Sequence, residues 1–125
     1  MISAPSIMQL AQDAARHASA RQGAFAQNIA HADTPGYRAR TLPDFATWMR
    51  GVTAPRATRA GHLGGGAGAA LQARAERNPA TVKPNGNIVS LENEMMRAAR
   101  ARLDHETALS AYTSARTILR TSLGR

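Results

Sequence analysis

Asn28-Ile29-Ala30-His31-Ala32-Asp33-Thr34-Pro35-Gly36-Tyr37 ends one kind of chain and begins another. Pro35 lacks a backbone N–H and restricts Thr34 toward extended geometry, while Gly36 tolerates a positive φ, so a helix arriving from upstream must stop near Asp33. Tyr37 adds a ring to bury and a hydroxyl that needs a partner, which suits a tight turn docked against another helix.

Residues 1–34, upstream of that stop, read as one amphipathic helix. Ser6-Ile7-Met8-Gln9 fits a capping box, and Ser3 before Pro5 is a competing start. Met8, Ala11, Ala15, Ala18, Phe25, Ile29 and Ala32 recur at spacings of three and four, with Gln22 in the gap, which predicts a coiled-coil-like stripe. Alanine favours the helix but buries little area, so such a helix needs a partner to be stable.

A second helix restarts after Lys83-Pro84-Asn85-Gly86-Asn87-Ile88-Val89-Ser90. Asn85-Gly86 is turn chemistry, Ser90 is placed to cap, and Glu92 and Glu94 put negative charge at the positive end of the helix. From about Leu91 to Leu119 or Ser122, an apolar series runs through Leu91, Met95, Ala98, Ala99 and Leu103, then Leu109, Tyr112, Leu119 and Leu123. Arg102, His105 and Arg116 interrupt it, as long side chains do where they snorkel or meet another subunit.

Between the helices lie two different stretches. Residues 35–49 form a turn and a hydrophobic anchor, with Phe45 and Met49 four apart and Trp48 beside them. Residues 50–83 carry Gly51, Gly61, Gly64, Gly65, Gly66 and Gly68 with Pro55 and Pro79, a composition that reads as loop with room for short strands near 70–77 and 81–82. The glycine cluster lacks the Gly-Lys-Ser/Thr ending of a phosphate loop. Of the +8 net charge, +6 falls in residues 38–83, where eight Lys or Arg face two acids, an excess that attracts phosphate, an acidic protein face or anionic lipid. A small basic nucleic-acid-binding module is therefore the alternative from another class, although no basic–aromatic alternation supports it.

The 125 residues suffice for one small domain, and 4% aromatic content argues against a dense core along the whole length. No cysteine is present, so disulfides and thiolate metal sites are excluded. His17, His31, His62 and His105 have no metal-binding spacing, and Glu92 and Glu94 are ill-spaced for one helix face, so no catalytic residue, cofactor or metal is assigned. No stretch approaches the roughly 18 apolar residues of a spanning helix, and no basic-then-hydrophobic leader opens the chain, so any export would use another route than Sec.

The opening stretch, read from Gln27, resembles the N-terminal signature of the bacterial flagellar rod and hook axial family, Asn-Asn-(Ile/Leu)-Ala-Asn-Ala-Asn-Thr-Pro-Gly-Tyr, departing at Gln27, His31 and Asp33. Pro84-Asn85-Gly86-Asn87 with Val89, Leu91, Glu92, Glu94 and Met95 resembles a second signature, that of proximal-rod members, with Ser90 replacing a frequent acid. The resemblance implies a mainly α fold: paired long N- and C-terminal helices (1–34 and 84–125) forming a coiled-coil-like rod domain around a variable middle. It implies a nonenzymatic, torque-bearing component of the proximal rod, exported by the flagellar type III apparatus to the periplasmic side of the inner membrane. Other copies of the chain, the FliE adaptor, the MS ring and export gate, and FlgC are the partners it implies. FlgC itself shares the Thr-Pro-Gly-Tyr region and is the runner-up; the short length and the Pro84–Asn87 turn favour the other member. The residues expected to carry structure and assembly are Phe25, Asn28, Ile29, Thr34, Pro35, Gly36, Tyr37, Pro84, Asn85, Gly86, Asn87, Leu91, Met95, Leu103, Leu109, Tyr112 and Leu119.

Overall fold

Two long helices, folded back on each other, make up most of the computed structural model, which describes residues 4–53, 71–77, 79 and 82–124. In chain order the elements are α1 (Ala4–Ala30), β1 (Arg40–Thr41), α2 (Phe45–Thr53), β2 (Arg74–Ala75) and α3 (Leu91–Ser122). The expectations for residues 54–70 and 81 lie outside the described residues. At 1.5 Å per residue α1 spans about 40 Å and α3 about 48 Å. Asn28 meets Glu94 and Arg21 meets Asp104, so the two helices run antiparallel.

α1 starts at Ala4, which agrees with the earlier of its two possible starts. It ends at Ala30, and the turn through Asp33 carries the chain to the Pro35 break. Ala11, Ala18, Phe25 and Ala32 are buried at intervals of seven, while Met8, Ala15, Gln22 and Ile29 line the edge half-buried. A seven-residue repeat keeps one face toward a partner along a helix, and small side chains on it let the partner come close.

The α3 seam departs from the expected series. Glu94, Ala101 and Ala108, again seven apart, are the buried positions, with Ala98, His105, Tyr112 and Leu119 half-buried beside them. Leu91, Met95, Leu103 and Leu109, expected on the packing face, are 45–63% exposed. The reason is space: opposite the alanines of α1, the closest approach is made by α3's own small residues, and the large ones are left at the flank or the outer face. Ser90 does stand at the N-cap position in extended geometry, but its hydroxyl makes no capping bond. Glu94 does not act as a solvent-facing charge at the helix start; it turns into the interior.

β1 and β2 pair antiparallel, Arg40 opposite Ala75 and Thr41 opposite Arg74. α2 is short and capped by Asp44, whose carboxylate accepts from the Thr47 amide at 3.4 Å while its carbonyl accepts from the Trp48 amide at 3.0 Å. The Thr47 hydrogen bonds hold the Asp44 carboxyl below its usual range. Phe45 and Trp48 lie against His17 of α1, with ring centroids 5.5 and 5.7 Å away, so α2 sits as a clip on one side of the hairpin.

Candidate functional site

The turn at Thr34–Tyr37 and the turn at Pro84–Asn87 are 50 residues apart in sequence and form one structure. The Gly36 amide donates to the Asn85 carbonyl at 3.0 Å, and the Ile88 amide donates to the Tyr37 carbonyl at 3.2 Å. Gly36 and Gly86 both adopt positive φ, 69° and 79°, and a Cβ on Gly86 would stand 3.6 Å from the Gly36 Cα. Two left-handed glycines therefore meet backbone to backbone, and it is the positive φ, not lack of room for a Cβ, that calls for glycine at each.

Asn87 is the clamp. Fully buried, its amide nitrogen donates to the carbonyls of His31 at 2.9 Å and Thr34 at 2.7 Å, and its oxygen accepts from the Val89 amide at 2.7 Å. Both carbonyls also accept a backbone amide, from Thr34 at 3.1 Å and Tyr37 at 3.3 Å, so a side chain from the second turn adds a second donor to each and ties the turn after α1 to its partner turn. Lys83 adds a charged donor there, reaching the Ala32 carbonyl at 3.0 Å. Ala32, Ala39, Ile88 and Val89 close a small apolar cluster under the turns, with Tyr37 packed on it. His31 stacks on the Tyr37 ring at 4.6 Å, so one of the three positions that depart from the family signature is used for aromatic packing.

One helical turn up α1 sits Asn28, also fully buried. Its Nδ2 donates to the Arg40 carbonyl and to Glu94 Oε2, both at 2.7 Å; its Oδ1 accepts from the Arg40 amide at 2.8 Å and the Tyr37 hydroxyl at 3.3 Å. The same amide thus binds strand β1, the turn and α3. Glu94, 2% exposed, also accepts from Arg97 at 3.1 Å, and Arg97 reaches Glu76 beside β2 at 3.2 Å. Burial disfavours the Arg97 cation, yet Glu76 and Glu94 outweigh it and raise its pKa. The chain Asn28–Glu94–Arg97–Glu76 joins α1, α3 and the β2 segment through polar atoms that are costly to separate.

Of the residues expected to matter, Thr34, Pro35, Gly36, Tyr37, Pro84, Asn85, Gly86 and Asn87 come together in this junction, with Phe25 and Asn28 buried above it. Ile29 is half-buried at the edge, Tyr112 and Leu119 lie along the seam, and Leu91, Met95, Leu103 and Leu109 are displayed outward. Sequence reasoning missed Glu94, Arg97, Glu76 and His17 as interior partners. An available signal was that Glu94 lies seven before Ala101, on the same face as the alanines.

A direct test is Gly36→Val against Arg40→Ala. The valine forces a β-branched side chain into φ of 69° and costs about 1–2 kcal/mol, seen as a lower urea midpoint. Arg40→Ala keeps the backbone bonds to Asn28 and removes only an exposed side chain, so it stays within about 0.5 kcal/mol. Equal midpoints would contradict the positive-φ requirement.

Among the described residues no group of three or more His, Asp or Glu is placed to hold a metal, and no helix is long and apolar enough to cross a membrane. No protein-family model matches the chain. The chain is similar to the flagellar basal body rod protein FlgB of Cereibacter sphaeroides, 35% identical over 92 residues that make up 72% of each chain. With the two signature turns locked together at the base of an antiparallel pair of terminal helices, and identity at that level over most of its length, the chain belongs to the FlgB family of flagellar basal body rod proteins.

Proposed function

We propose that the chain is a nonenzymatic building block of the proximal rod, whose subunits associate through the outward face of α3 to form part of the shaft that transmits torque. The observation that carries this is an unused apolar surface. Met95, Met96, Leu103, Leu109 and Ile118 of α3, with Leu123 just past its end, are 46–78% exposed and spread around the helix outside the Glu94–Ala101–Ala108 seam. The hydroxyls of Thr113, Thr117 and Thr121 bond back to the carbonyls four residues earlier, which leaves their methyl groups to face outward. So much exposed apolar surface on one helix of a single subunit marks an interaction surface.

A surface that meets a different patch on its neighbour repeats without closing and builds a helical shaft. Partners are other copies of the chain, FlgC as the next rod protein, and FliE with the MS ring and export gate at the base. Family membership supports this set, and with it a position in the basal body rod on the periplasmic side, reached by type III export.

Leu109→Asp is the test. Because Leu109 is 46% exposed and off the seam, the isolated variant keeps its helix content and a urea midpoint within about 0.5 kcal/mol of the parent. In basal bodies purified from cells that export the variant normally, its occupancy falls severalfold, since an interface charge left unpaired costs about 2 kcal/mol or more. Normal occupancy and motility would remove the α3 face from the assembly.

A further inference from the structure

His17 is a titratable side chain in an unusual place. It is 2% exposed, its Nε2 lies 2.8 Å from the Pro43 carbonyl, and its ring faces Phe45 edge-on and Trp48 at a tilt. A carbonyl only accepts, so Nε2 carries the hydrogen; burial is what favours the neutral ring in the docked state, with Nδ1 the atom left to take a second proton. Pro43, Phe45 and Trp48 thus all meet α1 at this one imidazole.

Beyond Phe45 the trough that α2 covers stays open. It forms a groove of about 480 Å³ between α1 and α3, walled by Ile7, Leu10, Ala14, Ala108 and Ala111 and reaching down to His17. α2 is thus seated over one end of a longer apolar channel. Its departure would uncover Phe45 and Trp48 on one side and the floor around His17 and Ala18 on the other.

We propose that α2 is a proton-released latch: protonation of His17 detaches Phe45–Thr53 from α1 and extends the open groove along the hairpin. This goes beyond assembly of the rod and does not depend on it. The charges around the ring are mixed. Asp13 and Arg21 lie one turn to either side on α1, Asp44 and Arg50 belong to the α2 segment, and Asp104 approaches from α3. His105 lies on α3 along the seam. Burial is the largest influence and lowers the His17 pKa from its usual 6.5; the Pro43 carbonyl, Asp44 and Asp104 favour the cation and Arg21 opposes it, and burial outweighs them.

The sign follows. A base whose folded pKa is depressed takes up its proton on undocking, so docking is full above the free value of 6.5 and weakens as pH falls below it. Within the window down to the depressed value, the docking constant falls by up to about tenfold per pH unit. Asp44, held below the usual carboxylate range, stays ionised through that window and does not blur it.

The single tryptophan of the chain, Trp48, reports the event directly. Acrylamide quenching and the emission maximum of Trp48 are measured on the full chain from pH 7.5 to 5.0, beside helix content by circular dichroism. Emission intensity alone is not used, because an imidazolium quenches indole without moving it. The expected result is a rise in quenching and a red shift below pH 6.5 while α1 and α3 keep their helix signal. His17→Gln, which retains a side-chain N–H for Pro43, and His17→Phe, which retains the ring, are each expected to be flat over the same range. His105→Gln is expected to keep the transition. A transition that persists in both His17 variants, no transition in the parent, or simultaneous loss of all helix signal would each overturn the latch.

Discussion

Replacing Asn28 with alanine is expected to cost about 3–5 kcal/mol of unfolding free energy, a large part of what a small domain possesses. The amide makes four hydrogen bonds, and the variant keeps none of them. The Arg40 N–H and C=O lose their partner on α1, and Glu94 remains 2% exposed with one of its two donors gone. Leaving such groups unpaired costs about 1–3 kcal/mol each, more when charged, whereas the made bonds contribute less in net terms. The excess should therefore shrink when Glu94 is also removed: the double variant Asn28→Ala, Glu94→Ala is expected to be about 1–3 kcal/mol less damaged than the two single losses added together. Asn93→Ala, on an exposed position of the same helix, is the control within about 0.5 kcal/mol. Urea unfolding followed by circular dichroism gives all four values. An Asn28→Ala midpoint matching that of Asn93→Ala would mean that water replaces the amide without loss, and the polar chain to Arg97 would not hold the hairpin.

The two long helices were legible because their ends are marked by residues that act locally, Pro35 with Gly36 and Pro84 with Gly86. The α1 face was legible in part, since Phe25 stands out among the alanines and fixes the register for Ala11, Ala18 and Ala32. α3 misleads for a physical reason. Apart from Tyr112 and Leu119, its large apolar residues are on the outer surface and flank, and its buried positions are Glu94, Ala101 and Ala108, so a search for bulk finds mostly the side that the isolated subunit leaves exposed. Glu94 is buried only because Asn28 and Arg97 meet it there, and neither partner can be identified from spacing along α3 alone. The two signature turns each read as a turn, but nothing local in either shows that the other completes it. That pairing is a contact across 50 residues, and hydrogen bonds such as Asn87 to His31 exist only once the hairpin has closed.

Asn87→Ala should therefore be the second severe change, with an expected loss of about 3 kcal/mol. It removes the acceptor for the buried Val89 amide and the side-chain donors to the His31 and Thr34 carbonyls, which keep only their backbone donors, all at a residue with no exposed surface. Asn85→Ala, two residues away and exposed, removes only its acceptor for the Asn87 amide at 3.1 Å and should cost about 1 kcal/mol. Asn87→Asp separates the two functions of the side chain. Its carboxylate still accepts from Val89 but sets a negative charge against the His31 and Thr34 carbonyls, so at neutral pH it should be at least as damaging as alanine. The folded state then holds the proton more tightly than the unfolded chain, which raises the folded pKa of the new acid above its unfolded value of about 3.9. Relative to the parent, the aspartate variant should recover as pH falls through that raised value, because the protonated acid regains one donor; the alanine variant should not. Urea midpoints at neutral and mildly acid pH, with hydrogen exchange at the Val89 and Gly36 amides, read the effect at its source. If Asn87→Ala unfolds at the same urea concentration as Asn85→Ala, with Val89 equally protected, the two turns are held by the backbone bonds of Gly36 and Ile88, and the side-chain clamp is dispensable.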